Sequence, residues 1–264
     1  PTAINEESSL TGPDFNGDGY GDIVIGATGE RFGDAIRTGA VTILFGDPNK
    51  LFSESIILHQ GMLNVPGDND PNDRFGSRTT FGDFNGDGYD DVAMSAPHND
   101  DNGSEAGKVY VYFGSANGPG PAADQVRYGS PGSQMSALQK VGDINGDGYA
   151  ELRIGSQVWE GSSIGLSGNP DYSANINRYL GDVNNDGRDD AMISGAMCYG
   201  QASGGYNCDY AVSGADTISD IDGDGFYDYV NADAGWDRSR GRFLVNYAYE
   251  SDEDQDGYMA SEDC

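Results

Sequence analysis

Oxygen-bearing side chains recur at one fixed spacing in five places along the 264-residue chain, in the pattern Asp-x-Asn/Asp-x-Asp-Gly-x-x-Asp/Glu. The copies place Asp14, Asn16, Asp18 and Asp22 in the first loop, and Asp83, Asn85, Asp87 and Asp91 in the second. Asp143, Asn145, Asp147 and Glu151 follow, then Asp182, Asn184, Asp186 and Asp190, then Asp220, Asp222, Asp224 and Asp228. Carboxylate and amide oxygens at positions 1, 3, 5 and 9, with glycine where the chain folds back, describe a cage for a hard cation. Calcium takes six to eight such oxygens at roughly 2.3–2.6 Å. A catalytic metal would need an open coordination position beside an acid–base partner, and nothing marks one copy as reactive. The five loops are expected to hold structural ions that fix hairpins.

Lys and Arg number 14 against 44 Asp and Glu, a formal charge of −30. A chain this acidic repels nucleic acid and anionic membrane surfaces. Five calcium ions would cancel ten of those charges, so their removal should release self-repulsion as well as open the loops. Forty-one Gly and sixteen Tyr suit a turn-rich all-β protein. No apolar run approaches the roughly 18 residues needed for direct membrane insertion. Cys198 and Cys208 bracket a glycine-rich loop and are expected to form a disulfide, which implies an oxidising, extracellular setting. Cys264 is left over and is expected to pair outside this sequence.

The first Asp of each loop falls at 14, 83, 143, 182 and 220. Repeats of that size, each supplying a few short strands, point to a propeller or solenoid. The same words surround the early loops. Arg74-Phe-Gly-Ser77 and Phe81-Gly-Asp83 precede the second loop, and Asp91-Val-Ala-Met-Ser-Ala-Pro97 follows it. Gly107–Gly114 then alternates as a half-buried strand should. Ile23–Ala27 and Gly39–Gly46 are the matching text in the first unit.

These residues resemble the FG-GAP repeats of integrin α-chain heads and many bacterial surface proteins, over roughly residues 10–250. The resemblance implies an all-β fold, a β-propeller whose blades are small antiparallel sheets, with calcium in the hairpin loop between a blade's first two strands. Five loops argue for about five blades, with six or seven including degenerate ones as the alternative. Carried over by position, the ligand sets are those named above, and Tyr20, Tyr89, Tyr149, Arg188 and Phe226 would each add a backbone carbonyl. The fourth loop departs in having Asn185 where the others have glycine, and Glu151 is one methylene longer than its counterparts. The fourth and fifth units are short, so their blades are expected to have three strands or to borrow one.

Residues 1–250 therefore read as the propeller and 251–264 as an acidic tail. Asp252, Asp254 and Asp256 stand at positions 1, 3 and 5 of an EF-hand-like loop that lacks its terminal Glu. The tail is either a sixth calcium loop opening a further segment or a solvated acidic end.

Elsewhere the chemistry is thin. His59 and His98, the two histidines, stand in unrelated contexts, and no phosphate loop, zinc helix or nucleophile elbow is present. Irregular stretches on a rigid scaffold usually carry recognition. Gly29–Thr38, Pro66–Arg74, Pro97–Ala106 and Asp233–Arg240 are the longest, and hold Arg31, Arg74, Trp236, Arg238 and Arg240. Either these side chains anchor a partner, or the arginines neutralise nearby acids and Trp236 packs between blades. Trp159, inside a strand-like run, is expected in the core. The expected function is a non-catalytic, calcium-stabilised adhesion or ligand-binding module, secreted or at the cell surface, with a protein or glycan partner. A lectin, a structural spacer and an accessory domain of an enzyme are the alternatives.

Overall fold

A computed structural model describes residues 12–31, 34–48, 52, 54–62, 70–194, 196–210, 215–219, 228–233 and 242–246, with the backbone alone from residue 209 onward. The described elements are all strands, paired antiparallel within five sheets. The chain divides into two compact units. One comprises residues 1–140 and 149–171, the other residues 141–148 and 172–264.

Two sheets lie within the first unit, together with most of a third. The first has the order β1 (Ile23–Ala27), β2 (Ala40–Phe45), β3 (Glu54–Leu58). The second runs β4 (Thr79–Gly82), β5 (Asp91–Ala96), β6 (Lys108–Tyr112), β7 (Gln125–Tyr128). The third contains β8 (Leu138–Gly142), β9 (Glu151–Ile154), β10 (Gln157–Trp159) and β11 (Tyr172–Ser173). Each is an up-and-down meander, and its Asp-rich loop opens directly into a strand: Asp91 begins β5 and Glu151 begins β9.

Side chains alternate across a strand, so a sheet buried on both faces needs apolar residues at every position. The two central strands of the second sheet come close to this, with Asp91, Ser95 and Lys108 as their buried polar members. Val92, Met94, Ala96, Tyr110 and Tyr112 pack in one core with Val41, Ile43 and Phe45 of the first sheet, while Ala93, Val109 and Val111 pack in another with Leu152, Ile154 and Trp159 of the third. Trp159 is in the core, as its strand context suggests. The half-buried reading of 107–114 fails: every residue of β6 is buried, Lys108 included. Lys108 is accommodated by an ion pair with Asp101 and by the Tyr128 ring, whose centroid lies 5.0 Å from Nζ.

In the second unit, β12 (Ile176–Gly181), β13 (Asp190–Ile193), β14 (Ala196–Gly200) and β15 (Tyr206–Tyr210) form a four-stranded sheet. The expectation of three strands fails here, because the glycine-rich turn after Gly200 returns the chain as β15. A disulfide joins Cys198 to Cys208 across that pair. Val183, Met192 and Met197 form its small core. β16 (Ala215–Ser219), β17 (Asp228–Asp233) and β18 (Arg242–Asn246) make a three-stranded sheet.

Candidate metal loops

Four of the five loops lie among the described residues, and they fold alike. The position-1 carboxylate gathers the amides that follow it. Asp14 accepts from Gly17, Asp18 and Gly19, Asp83 from Gly86, Asp87 and Gly88, and Asp143 from Gly146, Asp147 and Gly148, at 2.6–3.2 Å. Asp182 accepts from Asp186 and Gly187 at 3.0 and 2.8 Å. The position-3 carbonyl of Asn16, Asn85, Asn145 and Asn184 accepts the position-5 amide. Asp18, Asp87 and Asp186 in turn accept the amides of Tyr20, Tyr89 and Arg188. Asn185 takes the left-handed conformation, φ 57°, that glycine holds in the other three loops. The Arg188 guanidinium folds back onto Asp186, 2.8 Å away.

The position-9 carboxylates lie deeper. Asp22, Asp91, Glu151 and Asp190 are each 2 % exposed or less. In three loops both oxygens brace the main chain. Asp22 accepts from Phe15 and Gly46, Asp91 from Phe84 and Gly114, and Asp190 from Val183 and Gly200, at 2.8–2.9 Å. Burial pushes their carboxyls up, Asp91 to about 8 and Asp190 to about 7, and the loop's other aspartates push the same way. In the third loop the longer Glu151 brings its carboxylate within 4.8 Å of those of Asp143 and Asp147, the one such acidic trio among the described residues. Asp220, Asp222, Asp224 and Phe226, with Asp252, Asp254 and Asp256 of the tail, lie outside the described residues, and Asp228 is described by its backbone only, at the start of β17.

Calcium suits this donor set. Each loop presents carboxylate and amide oxygens without nitrogen or sulfur ligands, the preference of a hard cation. A carboxylate oxygen that accepts one N–H retains a second lone pair. Carboxyls that burial and like charge drive toward protonation are held ionised by a nearby positive charge.

Two further contacts were hidden from the ligand pattern. The position-7 ring of one loop covers the position-4 glycine of the preceding loop: a Cβ on Gly17 would lie 2.5 Å from Cε1 of Tyr89, and one on Gly86 2.5 Å from Cε1 of Tyr149. The position-8 amide donates to the preceding position-1 carbonyl, Asp90 to Asp14, Ala150 to Asp83 and Asp189 to Asp143. The loops are therefore joined in series, and the matching residue types are those of a repeat.

Residues 7–44 and 75–112 match the FG-GAP repeat. The chain carries FG-GAP repeats. Its all-β sheets are of the β-propeller type that this repeat builds. Phosphatidylinositol-glycan-specific phospholipase D of Bos taurus is 34% identical over 154 residues, covering 56% of this chain and 18% of that protein. Integrin alpha-PS5 of Drosophila melanogaster is 31% identical over 161 residues (56% and 14%), and human integrin alpha-6 is 34% identical over 145 residues (54% and 12%). The chain thus spans less than a fifth of the length of these curated relatives. Among solved structures, the exotype rhamnogalacturonan lyase YesX aligns with 90% of this chain and 46% of its own, at 15% identity and a TM-score of 0.48.

Proposed function

We propose that this chain is a calcium-stabilised, extracellular FG-GAP propeller module that binds a partner and catalyses nothing itself. The observation that carries the reading is the fourfold repetition of one loop geometry, with each loop seated on its neighbour's backbone. Such uniformity suits a scaffold, whereas catalysis needs one site unlike the rest. Asp14, Asn16, Asp18, Asp22 and the Tyr20 carbonyl would hold the first ion, and the corresponding residues of the other loops the rest. Bound calcium supplies positive charge to the clustered carboxylates and ties each hairpin's two ends together.

The integrin relatives support an adhesive use of the loop-bearing face, and the Cys198–Cys208 disulfide supports an oxidising location. The partner is a protein or glycan displayed at a surface. Elemental analysis of the purified chain, with calorimetric unfolding in calcium and in chelator, tests the scaffold. About five ions per chain and a large drop in melting temperature on chelation are expected, because a ligand that binds only the folded state must stabilise it. A melt indifferent to chelator would overturn it. One relative is named as a phospholipase D, so an assay on phosphodiester substrates tests the enzyme alternative. Hydrolysis by the isolated chain, lost on changing a residue outside the metal loops, would establish that alternative.

A further inference from the structure

Residues 71–74 and 98–105 border an open cleft of about 250 Å³ beside the second sheet, lined by Pro71, Asn72, Arg74, His98, Asp100 and Glu105. We propose that this cleft binds a neutral sugar residue, an inference that rests on the partner-binding reading above and gives the partner's chemical class.

The cleft is built rather than incidental. Asn72, Arg74 and Glu105 all hold left-handed backbone, φ 74°, 56° and 48°, a conformation that non-glycine residues adopt at a cost and that clusters at binding sites. Each is pinned: the amide of Asn72 donates to Ile36 O (2.9 Å), that of Arg74 to Arg37 O (3.1 Å), and Glu105 O accepts from Gln134 N (3.0 Å). Beneath them the buried Asp73 ties the two walls together, its Oδ2 accepting from Asn99 Nδ2 at 2.8 Å and from Gln60 Nε2 at 3.0 Å. A cleft braced in this way loses little entropy on binding.

The lining selects against charge of either sign. Arg74 enters no ion pair among the described residues and offers a fork of donors. An anion drawn to it would meet Asp100 and Glu105, and a cation drawn to those acids would meet Arg74. Glu105 is already engaged, by His98 Nδ1 at 3.5 Å and Gln134 Nε2 at 2.8 Å, and one oxygen of Asp100 accepts the Glu105 amide at 2.6 Å. What remains among the lining residues is a guanidinium, a primary amide and a carboxylate oxygen, with the Pro71 ring as the apolar member. Vicinal hydroxyls, each donor and acceptor at once, satisfy that alternation, and the C–H face of a sugar ring suits the proline. The volume falls just below the roughly 300–1,000 Å³ of pockets for drug-sized ligands, which fits one monosaccharide unit.

The test is ¹H–¹⁵N NMR titration of the calcium-loaded chain with methyl glycosides of neutral, uronic and amino sugars. Saturable shifts at Asn72, Arg74 and Asp100 with a neutral glycoside are expected, with a dissociation constant on the order of 1 mM. Arg74→Gln removes the charged donor, and Asp100→Asn keeps the oxygen that caps the Glu105 amide while removing the charge. Each should weaken binding at least about tenfold, with an unchanged melting temperature. No binding, a preference for the charged sugars, or affinity unaltered in both variants would overturn the proposal. A calcium-dependent melt without sugar binding removes the cleft and leaves the scaffold reading standing, whereas a melt indifferent to calcium removes the scaffold reading itself.

Discussion

Asp14 and Asp90, 76 residues apart, hold each other by two hydrogen bonds. The Asp90 amide donates to Asp14 O at 3.1 Å, and Asp90 Oδ2 accepts from the Asp14 amide at 3.0 Å. Asp143 and Asp189 repeat the pair at 2.7 and 2.6 Å. Each joins the first residue of one Asp-rich loop to the eighth of the next. Between the second and third loops Ala150 stands at the eighth position, so only the backbone half of the link is possible there. The loops are thus neighbours in contact as well as repeats in sequence.

Replacing Asp90 by Ala leaves the Asp14 amide without its carboxylate. A hydrogen bond to a charged partner contributes about 1.5–3 kcal/mol, and the existing tolerance of Ala150 sets the expectation at the lower end, about 1.5 kcal/mol. The loss should fall more heavily on calcium binding at the Asp14 loop than at the Asp83 loop, since Asp14 is the residue left unbraced. Calcium titrations followed by calorimetry check this. Equal weakening at both loops would mean that Asp90 acts on its own loop instead.

The packing of Tyr149 on Gly86 predicts a steep, partner-dependent penalty. Gly86→Ala adds a methyl 2.5 Å from the tyrosine ring at a residue with φ 71°. Overpacking of about 1–3 kcal/mol then adds to a left-handed penalty of roughly 1–2 kcal/mol. At Gly88 a Cβ meets nothing within 4 Å, so Gly88→Ala carries the backbone penalty alone. Truncating the ring in Tyr149→Ala should remove the overpacking part, which a double-mutant cycle isolates. Additive effects of Gly86→Ala and Tyr149→Ala would show that the ring does not constrain the glycine.

These relationships mark how far the residues alone could lead. Loop position, glycine placement and strand runs are local patterns, and the repeated text of Ile23–Ala27 and Gly39–Gly46 forms strands at Ile23–Ala27 and Ala40–Phe45. The Asp90–Asp14 link joins residues 76 apart, and spacing within one copy says nothing of it. A hint was present nonetheless: aspartate at position 8 in Asp90 and Asp189 exceeds what a cation cage needs. Lys108 misled the reading of β6, because a lysine in an alternating strand normally marks the solvent face. Only the tertiary fold supplies Asp101 and Tyr128 to bury it. The cleft was hidden for a similar reason, since nothing local announces that Arg74 and Glu105 hold left-handed backbone.

Asp73 gives a pH prediction separate from the metal loops. Burial raises its carboxyl above the usual range, and the nearby charges of Asp70 and Asp101 add to that, against the bonds from Asn99 and Gln60. A raised acid binds its proton more tightly in the folded state than in the unfolded chain. Stability attributable to Asp73 is therefore fully present below its unfolded value, about pH 4, and is lost as pH rises through the folded value. Asp73→Asn keeps an oxygen for Asn99 and Gln60 and cannot ionise. At saturating calcium the variant should gain on the parent as pH rises from about 4 toward neutrality. Parallel stability curves for the two proteins would show that Asp73 does not titrate in that window.

The Cys198–Cys208 bond closes a short loop at the point where the β14–β15 register slips, between Met197 and Tyr199. Cross-linking stabilises mainly by restricting the unfolded chain, and the entropic relation gives about 3 kcal/mol for a loop of this length. The double replacement of Cys198 and Cys208 by Ala should lower stability by up to that amount. Cys198 is fully buried whereas Cys208 is exposed, so the alanine at 198 adds a small packing loss that reduction of the native protein does not. Reduced parent should therefore melt below oxidised parent and slightly above the double variant. If reduction leaves the melting temperature unchanged, the four-stranded sheet stands on its strand pairing alone, and the cross-link does not contribute to the unfolding equilibrium.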